Sequence, residues 1–292
     1  MRYAIENEQL KVEVESLGAE LKSMLDKQTK VDYMWCADPA YYRRTSPNLF
    51  PIVGSLKDGK YTYNGKEYAM SQHGFARDYE WKAVKKSDTE ISFFLASTEE
   101  TLEKYPFAFE LELRYVLAGR DLTVTWFVKN PSDQKMYFSC GGHPCFTCPI
   151  HGEADKSGYG YNFHIDGDVT YTALDLPTGT MLPEEHTLHL ENGKAAFTSE
   201  FFDKGAYIVA GDQTKKVSLY DPSGEDYLTV SFDAPLFGLW SAEGKNAPYA
   251  AIEPWYGRCD RVDFDGTLEN REWGNELEAG KTFEGSYTIS VK

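Results

Sequence analysis

Three short segments carry the residues that can move protons. Glu253 lies in Ala251-Ile252-Glu253-Pro254-Trp255-Tyr256-Gly257. His73 opens His73-Gly74-Phe75-Ala76-Arg77, and His143 sits within Gly141-Gly142-His143-Pro144-Cys145-Phe146. A carboxylate flanked by Pro and Trp, with two imidazoles each beside glycine and an aromatic, is a general acid–base set next to a flat apolar platform. The combination suits a sugar, whose hydroxyls exchange protons while its C–H faces lie on rings. Ala250, Ala251 and Ile252 precede Glu253, so the segment reads as a buried strand ending at Pro254. A carboxylate buried there must be paired, with Arg258 or Arg261, or put to use. Two glycines before His143 let the backbone pass close to another group, and Pro144 stiffens the exit. A core histidine satisfied by carbonyls would need neither. The other histidines (His151, His164, His186, His189) stand in polar, loop-like surroundings and read as surface residues.

Two arginines, Arg43 and Arg44, precede the proline-edged stretch Thr45 to Gly54, and Arg77 is a third. Each is either a solvated loop residue or a forked donor to sugar hydroxyls or a phosphate. Cys140, Cys145 and Cys148 have a C-x4-C-x2-C spacing found at iron–sulfur sites. Cys259 is far away, however, and the segment reads as strand, so these thiols are taken as small apolar filler. No metal and no cofactor is expected. A nucleophile elbow, a P-loop and a dinucleotide glycine fingerprint are absent.

The elements that must position these residues are strands. Leu10 to Val14 and Tyr287 to Val291 alternate apolar with polar residues. Leu111 to Val116 and Leu122 to Val128, joined across Ala118-Gly119-Arg120-Asp121, read as a hairpin. Gly59 to Tyr68 reads as another, turning at Asn64-Gly65. Helix is limited to a turn or two at Thr98 to Lys104. Aromatics at 15%, with 20 Tyr and 17 Phe, fit pleated, half-buried surfaces. The expected fold is all-β, one large antiparallel β-sandwich spanning residues 1–292. Lys and Arg total 30 against 46 Asp and Glu, a net charge of -16, which disfavours nucleic acid and anionic membranes as partners. Met1 to Glu8 already reads as strand, no run reaches the ~20 apolar residues of a membrane span, and five cysteines suggest no disulfide framework. The reading is cytoplasmic, with a neutral small molecule as partner.

At these residues the chain resembles the aldose 1-epimerase (mutarotase) family, in its bacterial branch. Leu-Phe-Pro-Ile-Val-Gly (Leu49 to Gly54), His-Gly-Phe-Ala-Arg (His73 to Arg77), Gly-Gly-His-Pro and Glu-Pro-Trp-Tyr-Gly (Glu253 to Gly257) occur in family order. The resemblance implies a galactose-mutarotase-like supersandwich with its site on one concave sheet face and no metal in the chemistry. It implies Glu253 as the base that takes the anomeric hydroxyl proton, His143 as the acid that protonates the ring oxygen, and His73 as a hydrogen-bonding support at that oxygen. It also implies a pocket arginine, Arg44 or Arg43, and an aspartate that grips hydroxyls. The stretch Phe201 to Tyr207 departs from the family pattern there, which leaves Asp203 as the candidate. Trp255, Tyr256, Trp35 and Phe146 are the candidate stacking platform.

The expected chemistry is interconversion of α and β anomers of a hexose by acid–base ring opening and reclosure. Glu253, with an ordinary pKa of ~4.3, would start ionised; His143 would need a pKa raised above ~6.5, as a neighbouring carboxylate provides. Two alternatives share the residues: a hexose-6-phosphate 1-epimerase using Arg43, Arg44 or Arg77 for the phosphate, and a non-catalytic carbohydrate-binding protein.

Overall fold

Alternation in the sequence becomes two large antiparallel sheets in the computed structural model, which describes residues 1–292. The nine-stranded sheet contains the hairpin Glu110–Ala118 and Asp121–Lys129, with Thr282–Val291 against the second strand. Leu111, Leu113, Tyr115 and Leu117 are buried in the first strand, as are Leu122, Val124, Trp126 and Val128 in the second. The residues between them are partly or fully exposed. One face is thus core and the other meets solvent, as a period of two dictates. The smaller hairpin, Lys60–Tyr63 with Lys66–Ala69, turns at Asn64 (φ 47°) and Gly65 (φ 73°). The single α-helix, Glu99–Lys104, is capped by Thr98, whose hydroxyl accepts from Thr101 N at 3.3 Å.

The eight-stranded sheet positions the chemistry. Its central strand, Tyr249–Tyr256, pairs with Leu236–Trp240 on one side and with Cys140–Gly142 and Cys145–Thr147 on the other. Every residue of that strand is buried, so it reads as a continuous apolar run rather than an alternation. The alternation is still present in three dimensions. Ala250, Ile252 and Tyr256 enter the main core shared with the nine-stranded sheet. Tyr249, Ala251, Glu253 and Trp255 face the other way, where two small apolar clusters form. The strand runs through Pro254 to Tyr256 instead of stopping at the proline. Pro254 stands opposite Gly142, the last paired residue before the neighbouring chain is interrupted at His143 and Pro144.

Cys140 and Cys148 fill the main core, Cys145 belongs to the cluster around Tyr249, and Cys259 to the cluster around Trp255. No helix is long and apolar enough to cross a membrane.

Candidate active site

The register across the central strands explains why Glu253 and His143 meet. Cys140 pairs with Tyr256 and Gly141 with Trp255; the same register resumes as Cys145 with Ala251. It is unbroken across the gap, so His143 stands opposite Glu253 on one face of the sheet. His143 Nε2 lies 3.4 Å from Glu253 Oε2. Gly238 is the partner of Glu253 on the far side, leaving space above the carboxyl. The Trp255 indole lies against Gly141 and the same Gly238. A Cβ on Gly141 would come within 2.8 Å of its indole, and one on Gly238 within 3.0 Å. Both strands therefore use glycine so that the ring can lie over the sheet.

His73 arrives from outside the sheet and is fixed by the backbone of Gly54. Its N–H donates to Gly54 O at 2.9 Å, while Gly54 N–H donates to His73 Nδ1 at 3.0 Å. Nδ1 being an acceptor, the neutral ring carries its proton on Nε2. His73 (φ 64°) and Gly74 (φ 69°) are both left-handed, a costly conformation for a bulky residue and one associated with functional positions.

The three residues line a cavity of about 730 Å³, within the usual range for small-molecule sites. Tyr42 stacks on His143 with ring centroids 5.4 Å apart and planes 21° apart, and Trp240 meets the same ring edge-on at 5.4 Å. Trp240 Nε1 donates to Glu243 Oε1 at 2.8 Å, and Glu243 also lines the cavity. Arg43, Arg44 and Arg77 line it too. Arg44 pairs with Asp78 at 2.6 Å, Arg77 donates to Gln72 O at 2.7 Å, and Arg77 Nε is buried without a partner.

Of the residues singled out in the sequence, Glu253, His143, His73, Arg43, Arg44, Arg77 and Trp255 converge here. Asp203 does not: it lines a separate cleft with Lys156 and Phe202. Tyr256 faces the main core, with its ring 5.1 Å from Phe283 and its hydroxyl bonded to Asp233. Being one residue from Trp255 in a strand, it has to point the opposite way. Trp35 packs on Tyr249, and Phe146 lies in the main core. Arg258 and Arg261 pair with Glu272 and Asp263 and leave Glu253 alone. Sequence reasoning missed Tyr42 and Trp240 as the rings that enclose His143. Tyr42 directly precedes Arg43, but nothing local marks which aromatic will stack.

Charge at the floor differs from the expectation of an ionised Glu253 and a His143 of raised pKa. Glu253 is 1% exposed, and burial pushes its pKa well up. Burial holds His143 down to about 3, aided by the Arg77 and Arg44 guanidiniums. His73 is also held well below its usual value by burial, then by His143 and the same arginines. Desolvation thus pushes both groups toward their neutral forms, Glu253 toward the protonated acid and His143 toward the unprotonated imidazole.

Relatives have this architecture throughout. A galactose mutarotase related enzyme from Lactobacillus acidophilus superposes with a TM-score of 0.94 at 34% identity, over 100% of this chain and 97% of that one. A galactose mutarotase-like protein from Lactobacillus casei gives 0.92 at 28% identity, over 100% of both chains. The plasmid-borne protein LacX of Lactococcus lactis subsp. lactis is 29% identical over 100% of this chain and 99% of its own length. The family profile described as aldose 1-epimerase matches residues 1–290. With a matching profile over nearly its whole length and a shared fold, the chain belongs to the aldose 1-epimerase family.

Proposed function

We propose that the protein is an aldose 1-epimerase that interconverts the α and β anomers of a hexose, with the whole chain as one catalytic unit. The observation that carries this reading is the His143–Glu253 pair, 3.4 Å apart at a cavity lined by His73 and Trp255. One partner takes the O1 proton while the other protonates the ring oxygen, which opens the ring to the aldehyde. Rotation about C1–C2 presents the other carbonyl face, and on closure the first partner gives its proton back to O1 while the second takes its proton back from O5. The pair needs one mobile proton and ends each cycle as it began. By likeness to the family, Glu253 takes the O1 proton, His143 protonates the ring oxygen and His73 Nε2–H donates to that oxygen. Each acid–base group contributes ~10²–10⁴-fold. The Trp255 indole offers a surface for the sugar's C–H face, and Arg44 and Arg77 are forked donors to hydroxyls. All five cysteines are free, which accords with a reducing compartment such as the cytoplasm.

A second reading is favoured by Arg43, which is exposed on the cavity wall without an ion pair beside Arg44 and Arg77. Three guanidiniums there suit a hexose 6-phosphate handled by the same acid–base pair.

Polarimetry on freshly dissolved α-D-glucose and α-D-galactose, with wild type and Glu253→Gln side by side, tests the reading. Acceleration by wild type alone supports it. Acceleration confined to the 6-phosphates favours the second reading. Silence with all of them leaves a sugar-binding role.

A further inference from the structure

Although Glu253 is 1% exposed, no protein group donates a hydrogen bond to its carboxyl: Oε2 has no partner, and His143 Nε2 is 3.4 Å away. A carboxylate in that position would lack the donors that stabilise a buried anion. A protonated carboxyl needs one acceptor, and His143 Nε2 is placed to be it. The other side of the ring bears on the same question. Cys145, two residues on and on the same face, puts its sulfur 3.7 Å from His143 Nδ1 and 3.7 Å from His143 O. With the thiol proton on the carbonyl, the sulfur lone pair faces Nδ1 and accepts from Nδ1–H. Nε2 is then bare and turned to Glu253. The opposite arrangement, with the thiol donating to Nδ1, puts a proton on Nε2 and a buried negative charge on Glu253. The other groups around the ring are Tyr42 on its face, Trp240 edge-on at 5.4 Å, His73 edge-on at 5.7 Å, its own backbone carbonyl, which favours the charged ring, and the cations Arg44 and Arg77, which oppose it.

We propose that the free protein rests with the shared proton on Glu253 and with His143 as the Nδ1–H tautomer held by Cys145. A bound sugar then draws that proton across to Nε2. Sugar hydroxyls supply the donors Glu253 lacks, which favours its ionised form. The Glu253 O–H bond breaks and the His143 Nε2–H bond forms, leaving a carboxylate base and an imidazolium acid. Cys145 is a positioning residue, acting through His143. The second half rests on the sugar reading above; the resting tautomer does not.

Protein labelled with ¹⁵N-histidine, assigned with His143→Asn, tests both halves by long-range ¹H–¹⁵N correlation at neutral pH. In the free protein His143 is expected to carry its proton on Nδ1 alone and His73 on Nε2 alone. Cys145→Ala should lose the Nδ1 preference of His143, and Cys145→Ser, which restores an acceptor, should regain it. Saturating D-galactose or D-glucose should protonate both His143 nitrogens. An imidazolium or an Nε2–H tautomer at His143 in the free protein overturns the resting assignment. An unchanged tautomer in Cys145→Ala overturns the role of Cys145. A sugar that binds and leaves His143 neutral overturns the substrate-driven transfer. If neither sugar binds while the free-state tautomer is as expected, the resting assignment stands and the hexose reading fails.

Discussion

His143, in the two-residue gap between paired strands, stands opposite Glu253 and 3.4 Å from it, in a register that Gly141–Trp255 and Cys145–Ala251 fix on either side. Their separation is set by strand spacing rather than by a loop. Glu253→Gln keeps the shape and an ordinary amide but cannot give up or take the proton. Its rate should fall by about 10²–10⁴-fold with the fold intact, and His143→Asn should behave alike. Polarimetry with circular dichroism checks both; full activity in folded Glu253→Gln would remove it from the chemistry.

The pair of hydrogen bonds between Gly54 and His73 separates stability from activity. His73→Leu leaves the Gly54 N–H buried and unpaired, at a cost of about 1–3 kcal/mol. His73→Asn can accept from Gly54 and tolerates the left-handed backbone, so it should recover most of that stability while remaining slow. Denaturant midpoints and initial rates, measured on the same samples, give the test.

Gly74 allows the close approach that puts His73 in place. A Cβ there would lie 2.2 Å from Phe50 O, on a backbone with φ of +69°. The conformation alone should cost Gly74→Ala about 1–3 kcal/mol, with further loss from the clash. A variant with wild-type stability would contradict this packing.

Stability should depend on pH with opposite signs at the two ends of the pair. His143 and His73 have depressed values in the folded protein, so below ~6.5 the unfolded chain binds protons that the folded one refuses. Their contribution is present above that pH and is lost as pH falls towards the folded values. Glu253 is raised, so its contribution is present below about 4.5 and is lost as pH rises through the folded value. His143→Asn should therefore flatten the acid side of a stability–pH curve, and Glu253→Gln the side above about 4.5. The kcat/KM profile should likewise show no His143 midpoint near ~6.5, because burial holds that imidazole down to about 3.

Asp203 and Tyr256 test the placement of the cavity. Tyr256→Phe should lose about 1 kcal/mol of stability with its buried hydroxyl contacts, and KM should not move. Asp203→Asn should be silent in both. Trp255→Ala, on the cavity, should raise KM. A KM effect from Tyr256→Phe would mean that the faces of the strand are misassigned.

Much of this was legible in the sequence where the information is local. The hairpin at Gly119-Arg120 and the turn at Asn64-Gly65 follow from alternation and turn chemistry, and the strand around Glu253 from its apolar run. The same period of two would have excluded Tyr256, since Glu253 and Trp255 had already taken the other face. Long-range packing was not legible. Tyr42 and Trp240 enclose His143 from a loop and a strand far apart in the chain, and no spacing encodes that meeting. The sign of the His143 shift was misjudged for a related reason. One adjacent carboxyl can be read from the motifs, but the depth of burial that outweighs it depends on the whole sheet.

The continuous register between residues 140–147 and 249–256 ties turnover to cooperativity. The two groups proposed to handle the proton come from distant stretches of chain and are adjacent only when the centre of the sheet has closed. A partly folded species, or a fragment lacking either strand, holds one half of a proton relay and cannot turn over. Recovery of activity during refolding should therefore follow the pairing of these two stretches, making the sugar assay a reporter of that long-range contact.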